Sequence, residues 1–172
     1  MTRIIGIDPG SRKTGYGVID SDGIRSRYVA SGCILVKGDT PPERLGFIFR
    51  EILTIASTWR PAEMAVEQVF VNRNVDSALK LGQARGAAIC AGVEYGLTVE
   101  EYTPRAIKKA VVGTGTADKE QMQHMMRMLL NLGTLPQSDE ADALAVALCH
   151  AHHRTTLQRI NPGYTPGRRG RR

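Results

Sequence analysis

The spacing of apolar and polar positions changes several times along the chain, and each change marks an element. Residues 3–8, Arg3-Ile4-Ile5-Gly6-Ile7-Asp8, are rich in isoleucine and predict a buried strand, closed by the turn residues Pro9-Gly10-Ser11. Residues 14–20 predict a second strand. Asp22-Gly23 is a hairpin signal, and 28–36 predicts a third strand, so the chain opens as an antiparallel meander. From Pro41-Pro42 the spacing lengthens. Leu45, Ile48, Phe49, Ile52, Leu53 and Ile55 gather on one side of a helix that runs to about Trp59, and Pro61 ends that region. Met64-Ala65-Val66-Glu67 predicts a short fourth strand. An Ala- and Gly-rich helix over 75–95 and a fifth strand over 98–102 come next. Three helices follow, near 104–112, 118–131 and 138–153. Asp118 with Gln121 caps the second, and Ser138 caps the third. A meander followed by strand–helix alternation predicts an α/β fold, a five-stranded mixed sheet flanked by helices on both faces. Residues 1–155 make one domain, and 156–172 make a flexible tail.

Composition narrows the class. At 172 residues with 42% hydrophobic side chains, the chain is long enough to bury a core. No apolar run approaches the roughly 20 residues of a membrane helix, and the N-terminus enters the first strand with no secretory segment. Cys33, Cys90 and Cys149 lie far apart in apolar segments, without zinc-ligand or CxxC spacing; they predict buried free thiols and a reducing cytoplasm. The net charge of +6 is concentrated at one end. Six arginines lie from Arg154 onward with no acid among them, which leaves the preceding residues with equal numbers of bases and acids. The tail adds non-specific attraction to phosphate or serves as a solubilising segment; both readings stand.

Carboxylates supply the candidate chemistry. Asp8 ends the first strand beside a turn, and Glu67 ends the fourth. Each alone is equally a turn cap or a solvated residue. Ser138-Asp139-Glu140-Ala141-Asp142 opens the last helix, and Asp139 and Asp142, three apart, share one face. The helix dipole accounts for Asp139 and Glu140. It accounts less well for Asp142, which enters the apolar run Ala143-Leu144-Ala145-Val146-Ala147-Leu148. A carboxylate there needs a compensating cation. Oxygen-only ligands favour a hard ion such as Mg2+, with Mn2+ able to substitute, and two such ions can clamp an in-line phosphodiester displacement. His150, His152 and His153 crowd one helix end, where dipole and phosphate contacts explain them without zinc. Gly113-Thr114-Gly115-Thr116-Ala117-Asp118-Lys119 fails the Walker pattern.

Gly6-Ile7-Asp8-Pro9-Gly10-Ser11, Val66-Glu67-Gln68-Val69-Phe70 and Asp139-Glu140-Ala141-Asp142-Ala143-Leu144-Ala145 follow one another as in the RuvC family of bacterial Holliday-junction resolvases, and the chain resembles that family over roughly residues 2–155. The first motif alone is shared with actin-like kinases; the three together are specific. The resemblance implies a ribonuclease-H-like fold and a homodimer. It implies magnesium-dependent, paired cuts in opposing strands of a four-way DNA junction, with 5′-phosphate nicks and a preference for a short thymine-containing sequence. It also implies a branch-migration complex of the RuvA and RuvB type as partner. The family's four catalytic, metal-binding carboxylates fall on Asp8, Glu67, Asp139 and Asp142. Its phosphate-approaching lysines fall on Lys108 and Lys119. Its dimer helix matches 75–95, whose small residues suit close backbone approach; a helix packed within the domain is the other reading. Phe70, next to Glu67, stacks on an unpaired base at the crossover or packs beneath its loop, and its place beside Glu67 favours stacking. Arg73 joins the DNA-binding set, and Lys80 and Arg85 extend it or form a solvated helix face. Rival classes are an actin-like phosphotransferase, for which the chain is too short, and a ribonuclease acting on RNA–DNA hybrids. A non-catalytic junction binder is the third. It gains nothing from four acids, which repel phosphate without metal.

Overall fold

The computed structural model describes residues 1–69 and 75–161. Three strands come first: β1 (Thr2–Asp8), β2 (Lys13–Ser21) and β3 (Ser26–Leu35). Then follow α1 (Pro41–Trp59), β4 (Glu63–Glu67), α2 (Val75–Glu94), β5 (Thr98–Tyr102), α3 (Pro104–Val112), α4 (Lys119–Leu129) and α5 (Ser138–Ile160). The strands form one sheet in the order β3-β2-β1-β4-β5. The meander β1-β2-β3 is antiparallel, whereas β4 runs parallel to β1 and β5 parallel to β4. This is the mixed five-stranded sheet that the sequence predicts. The β2–β3 turn is built as expected: Asp22 Oδ1 accepts from the N–H groups of Ile24 (2.9 Å) and Arg25 (2.8 Å), and Gly23 takes φ +89°.

Strand residues alternate between two cores, one on each face of the sheet. On one face Ile5, Ile7, Val18, Met64 and Val66 pack under α1 and α2, which contribute Ile48, Ile52, Ala84, Ala88 and Ala91. On the other, Ile4, Ile19 and Ala65 meet α3, α4 and α5 through Ile107, Val111, Met122, Met126 and Leu144. Helix α5 is buried nearly all round from Ala141 to Ala151, as a central helix is. It lies almost in backbone contact with the sheet because Gly6, Gly15 and Gly17 lack side chains. A methyl group at Gly6 or Gly15 would collide with the carbonyl oxygens of Ala143 or Asp139, and one at Gly17 would sit 2.7 Å from Leu144 N.

Two features of α5 differ from the expectation. Its N-cap is Gln137, one residue before Ser138, and Gln137 N–H donates to Glu140 Oε2 at 3.3 Å. It also continues to Ile160, well past 153, so the residues 156–160 expected in the tail are helical. Residues 162–172, with most of the basic tail, lie outside the described residues.

Candidate active site

Four acids meet at one end of the sheet because three local rules converge. Parallel pairing of β1 with β4, in the register Ile7↔Val66, sets their final residues, Asp8 and Glu67, side by side. Antiparallel pairing puts Gly15 opposite Asp8. The bare Gly15 backbone receives the first turn of α5 at the Asp139 carbonyl, which delivers Asp139 and, one turn on, Asp142 to the same corner.

Electrostatics report the crowding. Burial, then Glu67, then Asp142, with smaller contributions from Asp139, push the Asp8 carboxyl up to about 8. Asp8 and Glu67 are hydrogen-bonded and titrate as a pair that holds a proton above the usual carboxylate range. Burial also raises Glu67 and Asp142, against the pull of Lys108 on both and of Lys119 on Asp142. Lys108 on α3 and Lys119 at the start of α4 therefore lie within charge-interaction range of the acids. Among the described residues, no three His, Cys, Asp or Glu side chains close into a ready-made metal cage. The acids are neighbours at charge-interaction range, two of them sharing a proton. A multivalent cation of hard character fits that donor set, because it would replace the shared proton and offset the remaining charge.

Phe70 and Arg73 lie outside the described residues. Lys80 pairs with Asp76 at 2.6 Å on the exposed surface of α2. Arg85 is committed to Glu101 in a half-buried ion pair, so it is a structural cation and not part of a free phosphate track. The expectation of three buried thiols is corrected: Cys149 is buried, Cys33 is half-buried and Cys90 is exposed. Cys33 on β3 donates weakly to Asp139 Oδ2 at 3.8 Å, which places a thiol at the rim of the acid cluster.

The reading of His150 as a helix-end cation also fails. It is 1% exposed and lies in the middle of α5, with Nε2 at 2.7 Å from Glu63 Oε2 and Nδ1 at 2.8 Å from Tyr102 Oη. Arg154 Nε approaches the other Glu63 oxygen at 3.0 Å. This network ties α5 to β4 and β5, the strands beside the acids. Its sequence signal was weak. Glu63 reads as a loop acid before Met64, and its partner comes 87 residues later.

A family model for the crossover junction endodeoxyribonuclease RuvC matches residues 4–150. The chain belongs to the RuvC family. The RuvC of Hahella chejuensis is 54% identical over 171 residues, covering 99% of each chain. That of Methylococcus capsulatus is 58% identical over 161 residues, covering 94% of this chain and 97% of the other. Thermus thermophilus RuvC, solved in complex with its Holliday junction substrate, matches with a TM-score of 0.82 at 36% identity over 89% of this chain and 94% of that one. The family bears out the resolvase resemblance and the ribonuclease-H-like fold. No helix among the described residues of this RuvC member is long and apolar enough to cross a membrane.

Proposed function

We propose that this RuvC member resolves Holliday junctions by hydrolysing one phosphodiester in each of two opposing strands, leaving symmetric nicks with 5′-phosphates. The observation that carries this reading is the convergence of Asp8, Glu67, Asp139 and Asp142 at one sheet corner, with the Asp8 carboxyl pushed up to about 8 by burial and by the neighbouring acids. Such a cluster is costly without a cation. The four carboxylates would hold Mg2+, two ions per site, with Mn2+ able to substitute. When bound, these ions supply Lewis-acid activation of water and neutralisation of the leaving oxygen.

The remaining roles belong to side chains. Lys108 and Lys119 face the acids and offer mobile positive charge to the phosphate on which negative charge builds. Phe70, next to the Glu67 strand end, stacks on an unpaired base at the crossover, and Arg73 meets the backbone. Residues 1–155 carry the nuclease, and the arginines of 156–172 add salt-sensitive attraction to DNA. The active unit is a homodimer, working in the cytoplasm with a branch-migration complex of the RuvA and RuvB type. A two-fold dimer matches an opened four-way junction, so paired cuts need only one kind of site.

The test is cleavage of a synthetic four-way junction, with matched duplex and RNA–DNA hybrid alongside, in magnesium or in EDTA. Wild type should nick the junction symmetrically only with metal, and Asp8→Asn should bind without cutting. Failure to cut across several sequences and metals would leave a non-catalytic binder as the better account. Faster cutting of the hybrid would make it a ribonuclease.

A further inference from the structure

A second basic feature lies at the same end of the sheet as the acids, on the face opposite α5. The turn after β1, the start of α1 and one side of α2 enclose a cleft of about 420 Å³. Ser11, Arg12, Asp39, Arg44 and Lys80 line it, over an apolar floor that includes Ile48 and Ala84. Its charges are unequally committed. Lys80 is held by Asp76. Among the described residues, neither Arg12 nor Arg44 has an ion-pair partner. Arg44 Nε is buried and finds no acceptor among the described residues. Asp39 is the one acid among the described lining residues, which keep an excess of positive charge.

The N–H groups at the start of α1 are not what makes the cleft attractive to anions. Thr40 Oγ1 already accepts from Glu43 N–H, and Glu43 Oε2 accepts from the N–H groups of Asp39 and Thr40. The two arginines carry the attraction. A guanidinium with an unpaired buried N–H is costly to maintain unless a partner arrives, and a phosphate oxygen is its best-matched partner. The cleft is also tied to the acids through the chain, because Ser11 and Arg12 follow Asp8 within one turn.

We propose that Arg12 and Arg44 form an auxiliary site for a backbone phosphate of the junction DNA, distinct from the phosphate that is cut. It rests on the junction-nuclease reading above. A strand whose scissile phosphate lies at Asp8 passes over the edge of the sheet, and the cleft holds it on the far side. This site fixes the direction in which the strand leaves the acids. It reads charge and not sequence, since phosphate contacts position the duplex without identifying bases.

The test measures junction binding in the Asp8→Asn background, with Arg12→Gln, Arg44→Gln and the pair, over a range of salt concentrations. Arg50→Gln, on α1 but outside the cleft lining, is the control. Each cleft substitution should weaken binding by roughly three- to ten-fold and reduce the slope of log K against log salt by about 1. Arg44→Lys should restore part of the affinity, and Arg50→Gln should change neither quantity. Should Arg44→Gln fail to fold, Arg12→Gln still decides, because that side chain lies exposed on a turn. Wild-type cleavage with unchanged affinity and slope in the cleft variants would overturn the auxiliary site alone. Absence of junction cleavage by the wild type would overturn the nuclease reading beneath it.

Discussion

Asp8 shows how much a single residue depends on its neighbours. Its carboxyl is pushed from 3.8 to about 8 by burial, Glu67 and Asp142, so the metal-free folded protein holds a proton that the unfolded chain has released. Between pH of about 4 and about 8 the folded state binds more protons, so without metal its stability falls as pH rises through that window. Glu67 and Asp142 are raised as well and push the same way. A divalent cation competes with the proton and should reverse the trend. Thermal melting in EDTA should therefore drop for the wild type as pH approaches 8, and magnesium should recover it. Asp8→Asn keeps the shape and removes the titrating group, so its profile in EDTA should be flatter. Parallel profiles for the two proteins would mean that the acids do not feel one another as described. The four acids were candidates in the sequence from their places at strand ends and in a first helical turn, and the family resemblance is what joined them into one set. The Glu63–His150 pair was not legible there, because its meaning depends on contact across 87 residues.

At the scale of elements, the site is positioned by what strands β1 and β2 omit. The strands and most helices followed from the change between alternating and helical spacing. Helix α5 was harder to delimit. Its middle is apolar on every side, which erases periodicity, and its last turn, through Thr156 and Gln158, reads as polar tail. The role of Gly6, Gly15 and Gly17 was invisible in the sequence, because glycine inside a strand signals weakness until the helix above it is known. Gly15→Ala tests that role. Its methyl group would collide with the Asp139 carbonyl and lift the start of α5 away from Asp8. Stability should fall by about 1–3 kcal/mol, the usual cost of overpacking, as measured by urea unfolding. Cleavage should fall further than the folded fraction does. Gly6→Ala collides with the same helix farther along, at Ala143 and Ala147, and should cost similar stability with a smaller loss of cleavage. Equal losses of cleavage would show that Gly15 serves packing alone.

At the scale of the whole molecule, α2 has a face that none of the described residues covers. Val75 and Leu79 are 64% exposed and Val93 is 60% exposed, while Gly82 and Gly86 have open space where a side chain would stand. These positions are separated by three, four or seven residues and so form one stripe. Opposite it, Ala84, Ala88 and Ala91 are fully buried against the sheet, which settles how the helix sits in its own protomer. The exposed stripe suits a second copy of the same helix, with glycines letting the two backbones approach across a two-fold axis. Gly86→Glu separates dimerisation from folding. The protomer has room for the new side chain, and replacing a mid-helix glycine should leave its stability unchanged or raised by up to about 1 kcal/mol. A dimer built on this stripe could not accept two opposed carboxylates at its centre. Sedimentation should show a dimeric wild type and a monomeric, fully folded variant. On a junction that carries two cleavable strands, the wild type should deliver both nicks within one binding event, whereas the variant should release singly nicked junctions. A variant that stays dimeric and still makes paired nicks would remove α2 from the interface. A monomeric wild type that nevertheless pairs its cuts would remove the two-fold argument itself, because one site would then have to visit both strands in turn.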